Sequence, residues 1–162
     1  MKIRFLALAA IFLSACASYS GSSLEPGTDT IDTVIRVMGE PAMRWQDVDG
    51  SIQLSYPRGP SSPESFMVKF GKDGKLQSIK NVLVPEFTRQ ISAGMTKDEV
   101  LRLIGPPENG WTIYFKARDE LVWDWRYQES SELAHFIVLF DATRDTVRSS
   151  MVIIDIKPPT PF

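Results

Sequence analysis

A single cysteine, Cys16, and a single histidine, His135, stand in a chain of 162 residues. One thiol closes no intramolecular disulfide, so the body must hold together by packing alone. One histidine without a cysteine or acids at metal-ligand spacing offers no zinc set, and no metal site is expected. No charge of one sign dominates: the formal net charge is −2, which removes the electrostatic case for a nucleic-acid partner. No apolar run reaches the roughly 20 residues that a membrane-crossing helix needs. A Gly-rich phosphate loop, a nucleophile elbow and a zinc helix are missing too. Asp119 with Glu120, and Glu129 with Glu132, read as solvated loop charges. The expectation is a non-enzymatic chain with no cofactor and no small-molecule substrate.

What is there begins at the N-terminus. Lys2 and Arg4 precede a short apolar run, Phe5 to Leu13, and then the small residues Ser14 and Ala15. Basic start, apolar stretch and small residues in that order read as an export signal over 1–15. Leu13-Ser14-Ala15-Cys16 resembles the bacterial lipobox. The resemblance implies diacylation of the Cys16 thiol, cleavage before it, and anchoring of the mature chain in a membrane by several acyl chains. Ala17 stands where Asp commonly marks inner-membrane retention, so the resemblance favours the outer membrane of a Gram-negative cell, facing the periplasm. Residues 16–25 (CASYSGSSLE) are then the lipidated cysteine and a flexible tether.

The body contains a repeat. Residues 28–41 (TDTIDTVIRVMGEP) align with 94–107 (GMTKDEVLRLIGPP) at an offset of 66. Thr30 meets Thr96, Val34 meets Val100, Gly39 meets Gly105, Pro41 meets Pro107, and Trp45 then meets Trp111. In the second copy Thr96 and Glu99 form a capping box, T-x-x-E. Val100, Leu101, Leu103 and Ile104 make a helical stripe. Gly105 suits the left-handed position that ends a helix. The first copy lacks the glutamate, so its helix start is weaker. Such short helices need a sheet to cover.

Strands follow each helix. Ile52, Leu54 and Tyr56 alternate with polar residues, Phe66, Val68 and Phe70 share a face, and GKDG at 71–74 is a hairpin turn leading into LQSIKNVLV. In the second copy Leu121, Trp123, Trp125 and Tyr127 share a face, and Phe136, Val138 and Phe140 match Phe66, Val68 and Phe70. A longer turn, DATRDT, leads to 151–156. The predicted fold class is α+β: two tandem two-layer units, each with one or two short helices packed on an antiparallel β-meander. The boundaries are 26–84 for a degenerate first repeat, 85–157 for the second, and 158–162 for a Pro-rich tail.

Gly94, Met95, Thr96, Val100, Gly105 and Pro107, with Gly39 and Pro41 in the first copy, carry a resemblance to the BamE (SmpA/OmlA) family of small outer-membrane lipoproteins. It covers about 94–157 well and 27–84 more weakly. It implies a non-enzymatic accessory role in the cell envelope with another envelope protein as partner, the barrel-assembly machinery being one candidate. The family's namesake has one such unit, and this chain reads as two. The tandem plan also resembles the secreted β-lactamase inhibitor proteins, whose paired sheets form one concave, aromatic-lined surface. That resemblance implies an alternative role as a periplasm-facing inhibitor or ligand-binding module.

Candidate interaction residues follow from the aromatics and one strand. Trp111, Tyr114 and Phe115 precede the Trp123–Tyr127 strand, whose alternating aromatics face either a core or a partner groove. Strand 136–140 is apolar on both faces, so Ile137 and Leu139 need a cover. The other repeat is the favoured cover, and an exposed binding patch is the alternative. The matching positions in the first copy, Met67 and Lys69, should face water. His135 reads as a surface or hydrogen-bonded histidine at a strand start.

Overall fold

The computed structural model describes residues 20–59 and 62–155. The described chain is α+β. Three α-helices, α1 (Ile31–Met38), α2 (Pro85–Thr88) and α3 (Lys97–Ile104), accompany two four-stranded antiparallel sheets. The first holds β1 (Met43–Gln46), β2 (Ile52–Pro57), β3 (Ser65–Phe70) and β4 (Leu76–Asn81). The second holds β5 (Ile113–Phe115), β6 (Glu120–Glu129), β7 (Glu132–Asp141) and β8 (Thr146–Ile154). Strands lie in chain order in both sheets. β1 and β5 escaped the sequence reading because so few residues show no clear alternation. β8 starts at Thr146, inside the segment read as a turn. Glu120, Glu129 and Glu132 lie in strands β6 and β7, not in loops.

α3 begins as its sequence dictates. The Glu99 N–H donates to the Thr96 hydroxyl at 3.2 Å, and the Thr96 N–H donates to the Glu99 carboxylate at 2.7 Å. Thr30 makes no such side-chain bond at the start of α1. Gly105 departs from expectation. Its φ of 79° comes with ψ of −179°, so it occupies an extended, positive-φ region that only glycine enters easily. A Cβ there would lie 2.6 Å from Ser55 Oγ and 2.9 Å from Ser65 Oγ. The helix end is thus pressed flush against the first sheet.

Packing decides the layering. α1 lays Val34 and Met38 against Leu54, Tyr56, Val68 and Phe70 of the first sheet. α3 serves both sheets: Val100 and Ile104 share one core with Trp125, Phe136, Val138 and Phe140 of the second and with Trp45 and Met67 of the first. Fully burying a side chain of this size contributes about 2 kcal/mol. The first sheet is therefore covered on both faces, and Met67, expected to face water, is 2% exposed. Polar bonds fix α3 on that face. Trp45 Nε1 donates to Asp98 at 3.0 Å, Arg102 bridges Asp98 and Asp47 at 2.8 Å each, and the Gln53 amide donates to the Arg102 carbonyl.

Part of the stretch 16–25, expected to be a flexible tether, is packed. Gly21 and Leu24 are buried, and a Cβ on Gly21 would approach Ile79 to 2.7 Å and Met38 to 2.9 Å. The chain is thus packed against α1 and β4 from Gly21 onward. Cys16, the segment 1–15 expected to be an export signal and the expected tail 158–162 lie outside the described residues. No described helix is long and apolar enough to cross a membrane.

Gly105→Ala should destabilise the protein by about 2 kcal/mol or more, from strain plus steric overlap. Gly110→Ala, with open space around its Cβ, should be near neutral. Urea denaturation of both variants checks this. Hydrogen bonds from Trp45 and Arg102 hold the Asp98 carboxyl below its ordinary value of 3.8. A carboxyl lowered on folding stabilises the fold above its unfolded pKa, and that contribution is lost as pH falls through the folded pKa. Stability from this contact should therefore be complete at neutral pH and fade below about pH 4. Asp98→Asn should flatten that part of the acid unfolding curve.

Candidate interaction face

The register of the second sheet sorts its side chains. Leu121, Trp123, Trp125 and Tyr127 on β6 oppose Phe140, Val138, Phe136 and Ala134 on β7, and this face meets α3. Trp123 and Trp125 are therefore core side chains, with their rings 6.0 Å apart and edge-on. The opposite, outer face carries Val122 against Leu139, Asp124 against Ile137 and Arg126 against His135. β8 adds Met151 beside Ile137 and Ile153 beside His135. Ile113 of β5 flanks Val122.

The cover expected over Ile137 and Leu139 does not come from the first sheet. That sheet meets the second across α3, on the helix side. Among the described residues the outer face stays open, with Ile137 and Leu139 half-buried among their strand neighbours and Ile113, Met151 and Ile153 exposed. Trp111, in a 3-10 turn, joins this face by laying its ring 5.0 Å from that of His135. Phe115 shares the outer side and sits under the Arg118 guanidinium at 4.4 Å. Tyr114 points to the helix side, opposite Leu121, and donates to Asp119 at 3.1 Å. The five candidate residues thus divide: Trp111, Phe115, Ile137 and Leu139 belong to one face and Tyr114 does not.

A charged cluster adjoins the apolar part of the face. His135 Nδ1 lies 2.9 and 3.0 Å from the two Asp124 oxygens. Arg126 Nη1 is 3.1 Å from His135 Nε2, and Arg126 Nη2 is 2.7 Å from Asp155. Guanidinium can only donate, so in the neutral ring Nε2 accepts from Arg126 and Nδ1–H donates to Asp124, while Asp155 Oδ1 lies 3.4 Å from Nε2. Burial raises the Asp124 pKa, and the bond from His135 opposes that rise. With Nδ1 at Asp124 and Nε2 at Arg126, the histidine is a fastener across β6, β7 and the end of β8. It lies within β7 and not at its start.

No family model matches the chain, and neither a curated protein nor a solved structure does. The geometry alone therefore carries the reading.

Asp124, Arg126, Asp155, Met151 and Ile153 were not foreseen as members of this face. One signal was present: Asp124 interrupts the apolar run Leu121–Trp125 with the parity of Val122 and Arg126. No group of three or more His, Cys, Asp or Glu side chains that could hold a metal ion occurs among the described residues. Between the sheets lies a cleft of about 210 Å³, bordered by Pro57, Leu83, Pro106, Pro107, Ser65 and Trp125. Ser65 Oγ and Trp125 Nε1 are buried there without a protein partner among the described residues, which suits ordered water.

¹⁵N NMR should find neutral His135 as the Nδ1–H tautomer, and Arg126→Leu should shift the Nε2 resonance far more than the Nδ1 resonance.

Proposed function

We propose that the chain is a lipid-anchored, non-enzymatic lipoprotein of the outer membrane, acting as a protein-interaction adaptor in the cell envelope. The observation that carries this reading is the open outer face of the second sheet. Val122, Ile137, Leu139, Met151 and Ile153 present a contiguous apolar surface on a sheet whose other face is packed. An apolar sheet face rimmed by the Asp124–His135–Arg126–Asp155 charges has the make-up of a protein-docking surface. The N-terminus supports an anchor. Cys16 stands five residues before Gly21, so acyl chains there would hold the first sheet within about 18 Å of the bilayer. The outer face of the second sheet would then be presented to the periplasm.

The tandem plan behind the BamE-like reading gains support from four matched details. Both long helices end on a glycine with positive φ and extended ψ, Gly39 at 87° and −172° and Gly105 at 79° and −179°. Thr30 bridges Lys75 as Thr96 bridges Thr146, each joining an N-cap to the start of a fourth strand. The Leu76 N–H donates to Asp29 as the Val147 N–H donates to Met95, both at 2.8 Å. A bulge precedes Phe70 in one sheet and Phe140 in the other. Duplication accounts for all four. A concave aromatic surface of the inhibitor type is not favoured, because Trp45, Trp123 and Trp125 all face α3.

Cys16→Ser should abolish lipid labelling and release the protein from membranes; retained labelling would overturn the anchor. Crosslinking in whole cells should recover an envelope protein. Ile137→Glu with Leu139→Glu should lower that recovery about tenfold, as expected for loss of apolar anchors, without changing the thermal midpoint by more than a few degrees. Recovery of no envelope protein by the unaltered chain would sink the adaptor reading.

A further inference from the structure

We infer that β8 is a pairing edge for a second copy of this chain, joining two second sheets into one continuous antiparallel sheet. The edge position follows from strand order, since β8 is hydrogen-bonded only to β7 within its sheet. Its outward main chain can be assigned residue by residue. The Asp155 N–H donates to the Leu133 carbonyl at 3.0 Å, one step beyond the Ala134–Ile154 pair. Antiparallel ladders alternate, so Ser149, Met151 and Ile153 direct their main-chain groups to β7, while Ser150, Val152 and Ile154 direct theirs away. Farther up the strand the outer edge is already used. Gly94 N–H donates to the Val147 carbonyl, and Val147 N–H donates to the Met95 carbonyl. Beyond Val147 no described segment pairs with that edge.

The side chains of this open stretch are apolar on both faces. Met151, Val152, Ile153 and Ile154 are each 40–49% exposed. Exposed edges are usually blunted by proline, lysine, inward charges or a bulge. Residues 149–154 contain no proline and no charge, and the one bulge in this ladder lies opposite Leu139/Phe140, before the stretch begins. The groups left without partners are main-chain donors and acceptors at strand spacing, which only another extended strand can satisfy as a set.

The charge pattern selects a second copy in antiparallel orientation. Arg148 stands at one end of the stretch and Asp155 at the other. Each is tied to its own sheet, Arg148 to Asp141 at 3.0 Å and Asp155 to Arg126 at 2.7 Å. Antiparallel self-pairing brings opposite charges toward each other, whereas parallel pairing would align like charges. A two-fold axis through Val152 uses only outward-facing main chain. It sets Val152 against Val152, Ser150 against Ile154, Met151 against Ile153 and Asp155 against Ser149. Such an isologous contact is closed, so it stops at a dimer. The pairing does not depend on what docks on the outer face, but it would double that face, because Met151 and Ile153 lie on it.

The test uses the full chain in its native membranes. Val152→Cys brings two thiols together across the axis at a Cα separation of about 5.5 Å, within disulfide reach. Mild oxidation should give a disulfide-linked dimer for Val152→Cys, with peptide mapping placing the bond between the two substituted positions. Val48→Cys, exposed in a loop of the first sheet, should give no more dimer than the unaltered chain. In detergent, analytical ultracentrifugation should find a dimer for the unaltered chain and for Val152→Thr, and a monomer for Val152→Lys. A monomeric unaltered chain, or no excess of dimer for Val152→Cys over Val48→Cys, would overturn the inference. A bond from position 152 to a different protein, or to the chain's own N-terminal or C-terminal residues, would assign the edge to another occupant and overturn it too.

Discussion

The arrangement depends on one eight-residue helix being buried on two sides. α3 is too short to persist alone in water. It is held because Val100 and Ile104 enter a core built from both sheets, because Thr96 and Glu99 satisfy its first donors, and because Gly105 lets its end touch Ser55 and Ser65. The Asp98–Trp45 bond and the Arg102 bridge add direction to that contact. These polar links span 53 and 55 residues of sequence, so they close a long loop and fix where the first sheet sits on the helix.

An asymmetry follows between two sheets of like plan. The first is covered on both faces, by α1 and by α3. The second is covered on one face only. Its outer side must remain tolerable to water, and the Asp124–His135–Arg126–Asp155 cluster does part of that work by placing solvated charge beside Ile137 and Ile153. Hydrogen bonds link these side chains to one another across β6, β7 and the end of β8. The apolar remainder of that face and the β8 edge are where the second sheet still has apolar contacts to make.

Local chemistry was legible where partners lie within a few residues. The capping box of α3, the weaker start of α1, the GKDG turn and the alternation in β2, β3, β6 and β7 all appear as read. The short strands β1 and β5 were not, since pairing and not pattern defines them. Gly105 was recognised as a helix stop, but its extended ψ depends on the serines it faces. Met67 illustrates the harder limit, buried where Lys69 on the same face stays exposed as expected. Alternation shows which residues share a face; it says nothing about what approaches that face.

The sequence by itself determined the α+β class, the register of alternation, the helix ends and the internal match between 28–41 and 94–107, because each rests on backbone geometry and near neighbours. Only the tertiary structure decided that α3 serves both sheets, that Met67 is buried while Ile137 and Leu139 look outward, and that Asp124, Arg126, His135 and Asp155 meet. Those outcomes depend on which of two available apolar faces a helix covers, and that choice is made by the summed packing of residues far apart in the sequence.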